Sequence, residues 1–221
     1  MLLAVDCGNT NIVMSVFDDE AICCQWRLET KGPHSGKAYL DVLTQQLTKI
    51  SCSPQDIDGC VIASVVPDIT PHLSSFATNI LGVVPVIVGA PGVTLALEID
   101  IDNPAEVGAD RLVNAVAVAH LGLVPAIVVD FGTATTFDIV RTAQTDKHKA
   151  CYAGGVISPG VHRSSEALAM AAAQLPQISV DQFDGQLPVL GTSTVSAMRS
   201  GVLWGYVGLV EGILARLEAE A

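Results

Sequence analysis

Asp6-Cys7-Gly8-Asn9-Thr10 and Asp130-Phe131-Gly132-Thr133 are two loops of one kind, each following an apolar run and leading into another strand-like stretch. A carboxylate at a strand end can hold a hydrated Mg²⁺. Gly lets the backbone approach a ligand, and the Asn or Thr that follows supplies donors to phosphate oxygens. Two such loops facing each other would grip one polyphosphate. Either loop alone reads equally well as a polar turn after a buried strand, so it is the duplication that points to phosphate.

Working outward from the first loop, residues 2–6, 11–17 and 21–28 are short β-type runs separated by a Gly-Asn turn and by Asp18-Asp19-Glu20, a meander. Apolar residues Leu40, Leu43, Leu47 and Ile50 share one face of a helix expected over residues 36–50. A strand over 59–65 ends at Pro67, and a helix over 69–81, a strand over 83–88 and a long helix over 105–121 follow. The pattern then begins again. Residues 125–130, 135–140 and 151–157 form a second meander around the second loop, with helices over 163–173 and 194–220 after it. The polar stretch 142–150 reads as a hairpin tip. This half-chain duplication sets a domain boundary near residue 120, giving lobes 1–120 and 121–221.

The 221 residues are half hydrophobic, enough for a sizeable core. Eleven Lys and Arg against 23 Asp and Glu give a formal charge of -12 without a basic stripe, which argues against a nucleic-acid partner. The start has no basic segment and too short an apolar run for a signal peptide, and no stretch approaches a membrane span, so a cytoplasmic location is expected. Six scattered cysteines lack metal-ligand spacing and read as reduced and structural. Cys7 lies in the first loop, yet no basic neighbour would lower its pKa to make it a nucleophile. His72, His120 and His162 have no carboxylate or Cys partner at ligand spacing. Trp26 and Trp204 read as packing or interface residues, and Glu211, Glu218 and Glu220 as a solvated helix face.

The chemistry-bearing stretch is Glu106-Val107-Gly108-Ala109-Asp110-Arg111-Leu112-Val113-Asn114-Ala115. At a helix opening Gly108 permits close approach, Arg111 can pair with a carboxylate bidentately, and Asp110 can accept a hydroxyl proton. The alternative is a helix N-terminus decorated with a charge that its dipole favours. Neither a P-loop lysine nor a serine elbow is present.

Two α/β lobes, each presenting a phosphate loop from its first hairpin, resemble the paired ribonuclease H-like lobes of the acetate kinase, sugar kinase, actin and heat-shock ATPase superfamily. There the active site lies in the interlobe cleft, where ATP would bind. Further motifs narrow the likeness: Trp26-Arg27-Leu28-Glu29-Thr30, Ala63-Ser64-Val65-Val66-Pro67, Val129-Asp130-Phe131-Gly132-Thr133-Ala134-Thr135-Thr136, Gly154-Gly155-Val156-Ile157-Ser158-Pro159-Gly160, and Gly191-Thr192-Ser193-Thr194 with Ser200-Gly201 and Gly205-Tyr206-Val207-Gly208. Taken in order, the set resembles type III pantothenate kinases, the ATP-dependent enzymes that make 4'-phosphopantothenate for coenzyme A.

The resemblance implies roles residue by residue. Asp6, Gly8, Asn9, Thr10, Asn11 and Val13 would bind ATP phosphates, with Asp6 toward Mg²⁺, and Gly132 and Thr133 would contact ATP. Gly108, Ala109, Asp110, Arg111 and Thr194 would hold pantothenate, Asp110 acting as general base. Asp130 would bind a monovalent cation, K⁺ or NH4⁺. A homodimer is implied, with the Gly-rich helix around residues 200–212 near its interface.

The chain departs from the family pattern in three places. Ile101, seven residues before Gly108, stands where the family has Tyr, so one hydroxyl contact to pantothenate is lost. The tip at 142–150 is longer than usual. Family members also continue past the final helix into a further strand and helix, and without them the second lobe is expected to be incomplete, with an unpaired strand edge. A partner subunit covering that edge is one expectation and a truncated form is another. A non-catalytic regulatory homologue similar to the Bvg accessory factors is the alternative to a kinase, and a kinase acting on another small alcohol is a third reading.

Overall fold

The computed structural model describes residues 1–32, 34–145, 147–171, 175–180 and 187–220. They divide into two compact units, Met1–Ala96 with Asp102–Ala117, and Leu97–Ile101 with Val118–Ala221.

In the first unit β1 (Leu2–Cys7), β2 (Asn11–Asp18) and β3 (Ala21–Glu29) form the expected antiparallel meander. Its strands alternate because one face is packed: Leu3, Val5 and Cys7 on β1 and Ile12, Met14 and Val16 on β2 are all buried. Against them lies α1 (Gly36–Thr48), which buries Tyr39, Leu43 and Leu47 at successive four-residue steps. Burying each Leu contributes about 2 kcal/mol. Ser35 caps this helix, its side chain accepting from the Ala38 N–H at 3.2 Å. β4 (Gly59–Ser64) runs parallel to β1, and with β5 (Val86–Ile87) outside it the order is β3-β2-β1-β4-β5.

After β4 the chain forms α2 (Thr70–Ser75), then a π-helical turn, Phe76–Leu81, in place of one uniform helix. β5 keeps only Val86–Ile87 of the expected strand, pairing parallel with β4. β6 (Glu98–Ile99) was not legible in the polar linker and belongs to the second unit, where it pairs parallel with residues 151 and 152. The long helix expected over 105–121 is divided into a 3-10 turn at Pro104–Glu106 and α3 (Ala109–His120). Proline starts the turn, and the Gly108 carbonyl starts the helix by accepting from the N–H groups of Arg111 and Leu112.

The second unit repeats the meander with β7 (Ala126–Phe131), β8 (Ala134–Thr142) and β9 (Ala150–Pro159), giving the order β6-β9-β8-β7. Among the described residues β7 is therefore an edge strand, whereas its counterpart β1 is flanked on both sides. α4 (Val161–Ala171) and α5 (Thr194–Glu220) follow; residues 172 and 173 of the expected helix, Asp146 of the hairpin tip and Ala221 lie outside the described residues. α5 covers the sheet through Leu209, Ile213 and Leu217, which pack with Phe137 and Ile139. Glu211, Glu218 and Glu220 are exposed, in keeping with a solvated face. No helix among the described residues is long and apolar enough to cross a membrane.

Among the described residues of this unit one carboxylate is fully buried. Asp138 on β8 accepts from the Tyr152 hydroxyl at 2.8 Å and from the Thr136 hydroxyl at 3.1 Å. Removing a donor from a buried carboxylate leaves desolvation uncompensated, so Tyr152→Phe should cost about 1–3 kcal/mol, read as a lower urea midpoint. An unchanged midpoint would show that the bond contributes nothing.

Candidate active site

Asp6 stands exposed near the end of β1, in register with Val13 on β2 and with Ala63 on β4. The alternation that buries Cys7 and Ile12 turns Asp6 and Val13 to the opposite side of the sheet. The turn is closed by the Gly8 N–H donating to the Asn11 carbonyl at 2.9 Å, and Asn9 and Thr10 are exposed at its tip. Cys7 faces the core. Burial pushes its thiol pKa up, with a hydrogen bond to Ser64 acting the other way, a shift away from the thiolate that a nucleophile needs.

The Val65 N–H donates to the Cys7 carbonyl at 3.0 Å, which fastens the Ser64-Val65-Val66-Pro67 turn to the end of β1. Ser64 organises that turn, its hydroxyl accepting from the Thr70 hydroxyl at 2.8 Å and from the Val66 N–H at 3.2 Å. Val65 in turn lies against Gly108: a Cβ there would touch Val65 Cγ1 at 3.4 Å and collide with Asp110 Oδ1. Glycine at 108 thus leaves the Asp110 carboxylate where it stands. Ala109 is buried, and Asp110 and Arg111 are half-buried. Asp110 Oδ1 accepts from the Arg111 N–H at 2.8 Å, which orients the carboxylate at the opening of α3. The first unit therefore brings three separated motifs to one corner: the phosphate-type loop, the Ser-Val-Val-Pro turn and Gly108-Ala109-Asp110-Arg111.

In the second unit Asp130 is exposed near the end of β7, in register with Thr136, and Gly132 and Thr133 form a turn closed by the Gly132 N–H on the Ala134 carbonyl at 3.0 Å. The loop is a residue shorter than the first, since β7 ends at Phe131 and β8 starts at Ala134. Gly160 sits directly beneath it: its N–H donates to the Thr133 carbonyl at 3.2 Å, and a Cβ would collide with the Gly132 and Thr133 carbonyl oxygens. Thr194 opens α5 and is exposed. Its neighbours Ser193 and Ser196 cap the helix reciprocally, Ser196 N–H to Ser193 Oγ at 3.2 Å and Ser193 N–H to Ser196 Oγ at 2.9 Å. Ile101 belongs to the second unit and lies beside Gly154 of β9.

Among the described residues no group of three or more His, Cys, Asp or Glu stands together as a metal cage. Exposed carboxylates such as Asp6 and Asp130 are the hard oxygen ligands that hydrated cations take, for which no such cage is needed. Sequence reasoning missed Asp138, whose signal was one Asp inside an apolar strand, and Tyr206, whose hydroxyl meets that of Thr135. It also missed the groups that brace the first loop from behind, Thr30, His34 and Tyr39.

A solved structure shares the fold. The chain matches a conserved, proposed Baf family transcriptional activator from Campylobacter jejuni at a TM-score of 0.51 and 20% identity, over 96% of this chain and 78% of that one. At that identity the likeness bears on the fold alone, an α/β chain of two units with a mixed sheet in each. The sequence pattern that defines type III pantothenate kinases matches residues 2–216, and the chain belongs to that family. It is 45% identical over 220 residues to the type III pantothenate kinase of Rhodospirillum centenum, spanning 100% of this chain and 81% of that one. It is 43% identical over 221 residues to that of Geobacillus sp. (strain WCH70), of which it spans 82%.

Gly160 offers a direct test of the second loop. Because a Cβ there meets backbone rather than a flexible side chain, Gly160→Ala should cost about 1–3 kcal/mol. It should also speed amide exchange at Gly132 and Ala134, followed by NMR. Wild-type stability and exchange in that variant would contradict the packing described.

Proposed function

We propose that this chain, as a type III pantothenate kinase, transfers the γ-phosphoryl group of ATP to the primary hydroxyl of pantothenate, with Asp110 as the general base. The observation that carries the reading is the corner of the first unit. There a Gly-Asn-Thr loop suited to phosphate and an adjacent acid and base at a helix opening are joined through the Cys7–Val65 bond and the Val65–Gly108 contact.

Phosphoryl transfer asks for alignment, charge neutralisation and a group to receive the hydroxyl proton. The amides and side chains of Gly8, Asn9, Thr10 and Asn11, bounded by Val13, are assigned to the ATP phosphates. Gly132 and Thr133 are assigned to ATP as well. Asp6 would hold Mg²⁺, which when bound with ATP neutralises phosphate charge. Gly108 and Ala109 keep the helix opening free of bulk, and Arg111 pairs with the pantothenate carboxylate. Asp110 has Oδ1 engaged by the Arg111 amide, so its other oxygen is assigned to the hydroxyl proton. Thr194, exposed at the start of α5, is assigned a further contact to pantothenate. Asp130 would hold K⁺ or NH4⁺.

A cytoplasmic homodimer completes the proposal. It is supported by family resemblance and by α5, where Gly201, Gly205 and Gly208 have open space above them. A regulatory binding protein on the same scaffold is the second reading. The observation that favours it is Ile101, an apolar side chain that offers pantothenate no hydroxyl.

Asp110→Asn separates these. It should lower kcat by about 100-fold or more while the melting temperature stays near that of the wild type and calorimetry still detects ATP. Full turnover in the variant would remove Asp110 as base, and a wild-type chain that binds ATP without turnover would favour the regulatory reading. For the cation, Asp130→Asn should abolish the difference between rates in K⁺ and in Na⁺; a difference that persists would place the cation elsewhere.

A further inference from the structure

The first loop is braced from behind by groups that no catalytic role accounts for. Thr30 follows β3 directly and is 6% exposed. Its hydroxyl donates to the Gly8 carbonyl at 2.6 Å and its N–H to the Thr10 carbonyl at 3.0 Å, so one residue ties down both ends of the Gly8-Asn9-Thr10 turn.

Thr30 is itself held. Its carbonyl accepts from Nε2 of His34, and because a carbonyl can only accept, Nε2 carries the ring proton. With Nε2 as the donor, Nδ1 of the neutral ring accepts a hydrogen bond from the Tyr39 hydroxyl at 2.6 Å. Tyr39 is 1% exposed on α1, its ring 5.4 Å from that of Phe76. Burial pushes the phenol pKa up to about 12, which keeps this donor protonated at physiological pH. His72 stacks on His34 with centroids 6.3 Å apart. The imidazole is thus fixed by two hydrogen bonds and a stacked ring.

We propose that Thr30, His34 and Tyr39 are positioning residues: a relay of hydrogen bonds from the buried face of α1 to the Gly8 carbonyl that holds the loop in the shape ATP phosphates require. The inference rests on the reading of this loop as the ATP site. A loop of small polar residues that had to be ordered by ATP itself would pay that entropy out of binding, and the relay orders it in advance. The effect belongs to ATP and leaves pantothenate alone, because the brace reaches the loop and not Gly108-Ala109-Asp110-Arg111.

Thr30→Val keeps shape and removes the hydroxyl. It should raise the KM for ATP roughly 3- to 10-fold, the worth of one net hydrogen bond, with the KM for pantothenate unchanged. Thr30→Ser should restore the ATP value, and Tyr39→Phe, which leaves the His34 Nδ1 without its donor, should move the ATP KM in the same direction. In the ligand-free protein, amide exchange at Gly8 should quicken in Thr30→Val and Tyr39→Phe and stay slow in Thr30→Ser, while β4 amides are unaffected. Equal effects on both KM values, or exchange at Gly8 unchanged in both variants, would overturn the relay. A wild-type chain that binds no ATP overturns the kinase reading instead, and the exchange comparison then decides the relay by itself.

Discussion

The hydrogen bond from the Val65 N–H to the Cys7 carbonyl is the point on which the site depends. It exists because β4 lies parallel beside β1, with Cys7 in register with Ser64, so both strands end at the same level. Parallel pairing forces the intervening chain to cross over through α1, and the strand ends thereby meet without being neighbours in sequence. Gly108 then lies beside Val65, and a Cβ there would displace the Asp110 carboxylate. From that one pairing follows the adjacency of an exposed carboxylate, a turn rich in donors, and the Asp110–Arg111 pair.

Charge explains the economy of the site. A chain with formal charge -12 that handles ATP cannot neutralise phosphate with a wealth of Lys and Arg. Amides in tight turns, a helix opening and bound cations are the remaining means, and each asks for a rigid backbone more than for charged side chains. Rigidity is what Gly160 beneath the second loop and Thr30 behind the first supply. One is a glycine with no room to be anything else, and the other a buried hydroxyl aimed at a carbonyl.

The sheets were legible in the sequence because their strands obey simple alternation: Leu3, Val5 and Cys7 inward, Asp6 outward, with turns marked by Gly-Asn and Asp-Asp. The Asp-containing loops and Gly108-Ala109-Asp110-Arg111 were legible because their chemistry is concentrated in a few consecutive residues. What stayed hidden was set by distant partners. β6 is two residues long and exists only because β9 offers it an edge. The break before α3 depends on Pro104 and on a carbonyl of Gly108, which a periodic apolar pattern runs straight through. His34 reads as a loop histidine until Tyr39 and Thr30 are seen on its two nitrogens. Asp138 reads as a fault in a strand until Tyr152 and Thr136 are seen to satisfy it.

The most direct test of the account is product detection. The purified 221-residue chain would be incubated with pantothenate, ATP and Mg²⁺, in K⁺ and separately in Na⁺, and 4'-phosphopantothenate sought by mass spectrometry. The expected result is product that depends on ATP and forms faster in K⁺. Folded protein that yields no phosphopantothenate in either salt would contradict the account.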